Sequence, residues 1–78
     1  METFQTNSLI NCKVIVWCRA DILYRGHLLA YYHKNNDIVL KNWDKLVYKE
    51  DSDSWKVEAT GKLIIIRGTF WKTMQVEQ

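Results

Sequence analysis

The fold is decided by one stretch of the sequence, Lys62-Leu63-Ile64-Ile65-Ile66-Arg67-Gly68-Thr69-Phe70-Trp71. Its run of large aliphatic residues, 63–66, favours a strand that is buried on both faces. Gly68 then allows a sharp turn, because glycine reaches positive φ without steric cost. A second apolar segment, 70–76, favours another strand. The stretch therefore predicts two strands separated by a short break, and Arg67 lies at that break.

Arg67 has two interpretations. A guanidinium is planar, carries five N–H donors and stacks on rings, which suits binding of a phosphate or a nucleobase. Alternatively, the same donors only hold the turn together by hydrogen bonds. The local sequence leaves both interpretations open.

The composition bounds the size and class of the protein. The chain has 78 residues and no proline, and 47% of it is hydrophobic, which predicts one small folded domain spanning 1–78. Its 11 basic and 9 acidic residues give a net charge of +2, which neither requires nor excludes a nucleic-acid partner. A domain of this size buries limited surface alone, so association is favoured.

The two cysteines and the N-terminus indicate the compartment. Cys12 and Cys18 share one predicted strand, where they lie roughly 20 Å apart, too far for a disulfide. The N-terminus lacks the charged and then apolar pattern of a signal peptide, and no apolar run approaches the ~20 residues of a membrane span. We therefore expect reduced thiols and a cytoplasmic protein.

Hydrophobic patterning predicts an all-β protein with a short N-terminal helix. The helix is expected at 4–11, where Thr6-Asn7-Ser8 supplies N-cap residues. β-branched and apolar segments predict five strands, at 12–19, 22–32, 38–48, 61–66 and 70–76. Short turns make neighbouring strands antiparallel. These lengths fit a five-stranded, strongly bent antiparallel small barrel of the SH3-like kind.

Two features interrupt the strands. Gly26 predicts a strong bend or a close backbone approach in the second strand. The middle of the third strand is polar, which predicts a bulge or bend near Trp43-Asp44.

The segment 49–60 is dense in charge and serine, which predicts a variable, solvated loop with a hairpin tip at 50–54. Trp55 and Val57 could already belong to a strand. Acidic residues in this segment would repel RNA, so it is a poor nucleic-acid contact.

The order of these parts resembles the Sm/LSm family, whose bacterial relatives are the Hfq proteins. The family's first motif falls at 12–48 here. It is matched by the glycine Gly26, the aliphatic Leu28, the aromatic Tyr31, the polar turn 33–36 and the third-strand aliphatic run Ile38-Val39-Leu40. The second motif, at 61–76, is matched by Ile64-Ile65-Ile66-Arg67-Gly68. The resemblance implies an Sm-like domain over nearly the whole chain.

The chain departs from the family pattern in the first motif. The family's Asp at the end of strand two is Tyr32 here. The following turn is one residue longer, so either Asn36 or Asp37 takes the family's Asn position. His33 or Lys34 takes the position of the side chain that stacks on a base. These departures concern the uridine pocket and not the fold.

The resemblance implies a cyclic hexamer or heptamer, of identical or different Sm-like subunits, that binds single-stranded RNA on its inner rim. A base would lie between Arg67 and a ring from the first turn, Asn36 would bind its edge, and Lys34 would meet phosphate. The expected RNA-binding residues are Tyr32, His33, Lys34, Asn36, Arg67 and Gly68. The expected subunit interface comprises Leu63, Ile64, Ile65, Ile66, Phe70, Trp71, Met74 and Val76.

The sequence gives no pattern for catalysis or metal binding. His27 and His33 lack a metal-ligand spacing, and neither a Ser-His-Asp set nor a glycine-rich phosphate loop can be identified. We expect a protein that is not an enzyme and needs no cofactor.

Two functions remain. One is a ring that binds U- or A-rich single strands, as an RNA chaperone or a scaffold for RNA processing. The alternative is an Sm-like protein–protein assembly module that has lost the uridine pocket. Tyr32 and the four tryptophans favour the alternative, whereas Arg67-Gly68 and the basic, polar turn favour RNA.

Overall fold

The computed structural model describes residues 9–77. The strands are β1 (Lys13–Arg19), β2 (Ile22–Tyr32), β3 (Asp37–Lys49), β4 (Ser54–Ile66) and β5 (Thr73–Val76). They form one antiparallel sheet in the order β4-β3-β2-β1-β5. Because β4 and β5 are the two edges of this sheet, the chain itself leaves both edges unpaired. No helix within 9–77 is long and apolar enough to cross a membrane.

The core lies on one face of the curved sheet and follows the alternation of the sequence. Along β1, Val14, Val16 and Cys18 are buried, while the intervening side chains are at least partly exposed. Burial also raises the pKa of the Cys18 thiol. The buried cluster draws on β1 to β4 and comprises Val14, Val16, Cys18, Leu28, Ile38, Leu40 and Ile66.

A bulge sits opposite Gly26, as predicted near Trp43-Asp44. Arg25 pairs with Asp44 and His27 pairs with Lys41, so two residues of β3 face the single Gly26. One of them, Asn42, has a φ of 53°. A Cβ on Gly26 would lie 3.0 Å from the Lys41 carbonyl oxygen and 3.1 Å from the Cα of Trp43. The glycine therefore permits a close backbone approach that bends the hairpin.

Of the loop expected over 49–60, only the tip forms a turn, and the alternative that Trp55 and Val57 already belong to a strand is confirmed. Strand β3 continues to Lys49 and β4 begins at Ser54, which leaves only 50–53 as a turn. The Lys45 ammonium and the Glu58 carboxylate pair across the two strands at 2.9 Å, which lowers the pKa of Glu58 and raises that of Lys45. Trp55 also makes edge-on ring contacts with a β1 and a β3 side chain, Trp17 and Tyr48.

Two other boundaries differ from the prediction. Strand β5 begins at Thr73 rather than at residue 70, because 67–70 form a turn in which Phe70 N donates to the Arg67 carbonyl at 2.9 Å. The helix expected at 4–11 lies mostly outside the described residues. Its last residues, 9–11, form a turn closed by a 2.9 Å hydrogen bond from Cys12 N to the Leu9 carbonyl.

The face assignment of β2 can be tested with two neighbouring leucines. Leu28 has no exposed surface, so Leu28→Ala should lower the free energy of unfolding by about 2–5 kcal/mol through lost burial and a cavity. Leu29 is 41% exposed, so Leu29→Ala should change it by only about 0.5 kcal/mol. Urea denaturation at one fixed protein concentration measures both, and equal losses would contradict the assignment.

Candidate functional site

The turn between β2 and β3 is a compact polar cap on one end of the sheet. Asn36 N donates to the Tyr32 carbonyl at 2.7 Å, and Asp37 N donates to the side-chain oxygen of Asn35 at 3.2 Å. Asn36 has a φ of 64°, a conformation that asparagine tolerates better than most residues. As a result, the side chains of 32–36 are all exposed.

Asp37 joins this turn to the segment that follows β4. Its Oδ1 accepts the Gly68 N–H at 2.7 Å, and its Oδ2 lies 3.3 Å from Arg67 Nε in an ion pair. The Asp37 side chain is only 16% exposed, whereas that of Arg67 is 67% exposed. The arginine therefore helps to tie the two turns together and still presents most of its guanidinium to solvent.

Gly68 is required by this contact and not by a turn conformation. The sharp turn expected at Gly68 is present, but the φ of Gly68 is not positive, so the turn does not use the left-handed conformation. A Cβ at this position would overlap the carbonyl oxygen of Asn35 and would lie 2.8 Å from the Cβ of Asn36. Only a residue without a side chain lets the two backbones approach so closely.

Two aromatic side chains, those of Trp71 and Tyr31, form hydrogen bonds with the turn between β2 and β3. Trp71 Nε1 donates to the Asn36 carbonyl at 2.7 Å, and the Tyr31 hydroxyl donates to Asn36 Oδ1 at 2.5 Å. The Tyr31 ring makes edge-on contacts with the rings of His33, at 4.7 Å, and of Trp71, at 6.3 Å. Asn36 is thus an anchor of the turn. Of the two residues left open by the sequence, Asp37 is the one that contacts Arg67 and Gly68.

A cavity of about 260 Å³ opens where the two turns meet. Of the six expected RNA-binding residues, Arg67 and Gly68 line it, while Tyr32, His33 and Lys34 are exposed on the neighbouring turn. The remaining lining residues were not among the expected set: Asn35, Asp37, Thr69 and Phe70. Asp37 is one of the two residues that the sequence left open for the family's Asn position, and it directly precedes the aliphatic run of β3.

The charges near the cavity are of both signs. Lys34 and Arg67 are cationic, and the carboxylate of Asp37 offsets part of the arginine charge. The acidic turn at 50–53 is separated from them by the full length of β3. Within 9–77, no group of three or more His, Cys, Asp or Glu side chains could hold a metal ion.

The expected interface residues divide by exposure. Leu63 and Ile65, on the outer edge of β4, are 62% and 63% exposed, and Phe70 is 67% exposed. Val76 is exposed at the other edge, and Ile64, Trp71 and Met74 are half-buried. Ile66 belongs to the buried core, so its side chain is not available for a contact between subunits.

The contact between the two turns can be tested at Gly68. In Gly68→Ala the added methyl group overlaps the Asn35 carbonyl, so the turns must separate, and we expect a loss of about 1–3 kcal/mol in the free energy of unfolding. Thr69→Ala is the matched control at an exposed neighbour, with an expected change within about 0.5 kcal/mol. A Gly68→Ala variant as stable as the native protein in thermal melting would refute the close approach.

Three solved structures have the same architecture as this chain. A chain of the NatC complex bound to CoA aligns with a TM-score of 0.72 at 17% identity, over 100% of this chain and 91% of its own. The Pyrococcus abyssii Sm protein, solved in complex with a uridine heptamer, gives 0.72 at 20% identity, over 91% of this chain and 90% of its own. A heptameric archaeal Sm protein gives 0.69 at 14% identity, over 92% of this chain and 94% of its own.

Neither a family model nor a curated protein sequence matches the chain. At the identities of the solved structures, the likeness establishes architecture and not activity. In all three alignments the aligned share of each chain is 90% or more. The chain therefore has the Sm-like fold.

Proposed function

We propose that the protein assembles with Sm-like subunits into a ring and binds single-stranded RNA at the rim that carries Arg67 and Gly68. The observation that carries the proposal is the pair of contacts that Asp37 makes with Gly68 and Arg67. These contacts hold the exposed guanidinium of Arg67 beside the exposed polar turn at 32–36. Two of the similar structures support it, one being heptameric and the other containing a uridine heptamer.

The ring is supported by the two unpaired edges of the sheet. An uncovered edge strand with apolar side chains is a template for pairing with another chain. Here Leu63 and Ile65, near the end of β4, are both largely exposed, and β5 is the other free edge. Pairing of β4 in one subunit with β5 in the next is a head-to-tail contact, which closes into a ring when the rotation allows. A hexamer and a heptamer both satisfy this requirement.

The RNA contact uses stacking and charge together. Single-stranded RNA is bound by stacking of bases on aromatic or guanidinium planes, each worth roughly 1–3 kcal/mol, with cations along the backbone. Tyr32, His33 and Arg67 offer exposed planes, and Lys34 offers an exposed ammonium. U- or A-rich strands are the preferred ligands, and the role is that of an RNA chaperone or a scaffold for RNA processing.

A specific observation favours a second candidate, an Sm-like assembly module that binds protein instead of RNA. The carboxylate of Asp37 offsets the charge of Arg67 at the rim, which weakens attraction for phosphate. In addition, the similar chain from the NatC complex bound to CoA aligns over all of this chain, and that chain is part of a protein complex. The two candidates share the subunit interface and differ at the rim.

The interface can be tested with charge on β4. Leu63→Lys combined with Ile65→Lys should convert the ring into monomers, because two ammonium groups would be buried against the next subunit. Native mass spectrometry at micromolar concentration measures the subunit number. Val57→Lys is the matched control, an exposed apolar residue of the same strand outside the expected interface. A native protein that is monomeric under these conditions would contradict the ring.

The rim can be tested at Arg67. In Arg67→Ala the affinity for fluorescent U- or A-rich decamers at low salt should fall about tenfold, since one stacking plane and one charge are lost. Lys49→Ala, which removes a cation beside the acidic turn, should leave the affinity unchanged. Fluorescence anisotropy gives the affinities, and circular dichroism checks folding. An intact ring that binds neither decamer would reject RNA and leave the assembly module.

A further inference from the structure

The cavity between the two turns has in its wall an acceptor group, the carboxylate of Asp37, that also joins the turns. Asp37 Oδ1 accepts the Gly68 N–H at 2.7 Å, and Oδ2 lies 3.3 Å from Arg67 Nε. A carboxylate has about four lone-pair sites, so each oxygen can accept a further hydrogen bond. Both oxygens are held in place by the protein, and the side chain lines the cavity. A ligand with two adjacent N–H donors is the chemical complement of this group.

The walls of the cavity are suited to a flat ring. Phe70 and the guanidinium of Arg67 line it and are both largely exposed. Aromatic and guanidinium planes stack on nucleobases. The volume of about 260 Å³ is below the ~300–1,000 Å³ of sites for drug-sized molecules. The space therefore fits one base better than a larger group.

We propose that this cavity selects guanine, which Asp37 recognises through the N1–H and the 2-amino group. This inference rests on the proposed RNA-binding function and specifies the base at one position of an otherwise U- or A-rich strand. Guanine presents its two donors side by side, so they meet the two carboxylate oxygens in a fork. Asn35 also lines the cavity.

The other bases fit the carboxylate less well. Uracil has a single N–H flanked by two carbonyl oxygens, which would face the carboxylate and be repelled by it. Adenine and cytosine each present one amino group beside a ring nitrogen that is an acceptor. An ionised carboxylate only accepts hydrogen bonds, so each of these bases leaves one oxygen of Asp37 opposite another acceptor.

The test compares three fluorescent RNA decamers that differ in one group. The decamers are alternating uridine–guanosine, alternating uridine–inosine and uridine alone. Inosine retains the N1–H but lacks the 2-amino group, so it removes one of the two proposed bonds. We expect the guanosine strand to bind about tenfold tighter than the inosine strand, in the range found for bidentate base recognition.

The matched variant is Asp37→Asn. An asparagine keeps an acceptor for the Gly68 N–H but presents one donor and one acceptor, so it cannot take two N–H bonds from guanine. The difference between the guanosine and inosine strands should disappear. Asp51→Asn, the same change on the distant acidic turn, should retain the difference. If Asp37→Asn fails to fold, the guanosine–inosine comparison on the native protein decides.

Each outcome has a distinct meaning. Equal affinity of the native protein for all three strands overturns guanine selection and leaves RNA binding intact. If no strand binds at low salt, RNA binding itself fails, and titration with free GMP and IMP followed by NMR decides the inference. GMP binding that exceeds IMP binding and depends on Asp37 then supports guanine recognition from a free nucleotide, and no binding of either nucleotide overturns it.

Discussion

One carboxylate, that of Asp37, organises the end of the molecule where ligands are proposed to bind. It is the first residue of β3, and it holds the backbone of Gly68 and the side chain of Arg67. Hydrogen bonds and ion pairs of a carboxylate are stronger than neutral ones, and burial strengthens them further. The position of the arginine therefore follows from a residue on another strand. The same contact reduces the net charge at the rim, so recognition there depends on geometry more than on attraction.

A second constraint is the balance between a small core and long strands. The buried cluster is formed by a few aliphatic side chains and Cys18, while β3 and β4 each extend over 13 residues. Long strands with so little buried surface leave apolar edges uncovered, and β5, with 4 residues, covers only part of β1. Small domains often gain the missing burial by association. The exposed edge of β4 and the small core therefore have the same cause, which is that a single chain buries too little apolar surface.

Local patterns predicted most of the fold and only part of the site. The alternation in β1, the bend at Gly26 and the break after Ile66 were readable because each depends on neighbouring residues. The extension of β4 back to Ser54 was only an open alternative, because it depends on pairing with β3, which local composition does not reveal. The role of Gly68 depends on a backbone more than 30 residues away, which no local pattern reveals. Likewise, Asp37 joins two distant segments through Gly68 and Arg67, and which of Asn36 and Asp37 meets a ligand stays a prediction.

The length of β3 has an electrostatic consequence. It places the acidic residues Glu50, Asp51 and Asp53 beyond one end of the strand and the cations Lys34 and Arg67 beyond the other. The strand thus separates charges of opposite sign. A polyanion would be repelled at the acidic end over about 8–10 Å at physiological salt. This repulsion acts away from the proposed rim, and high ionic strength would screen it.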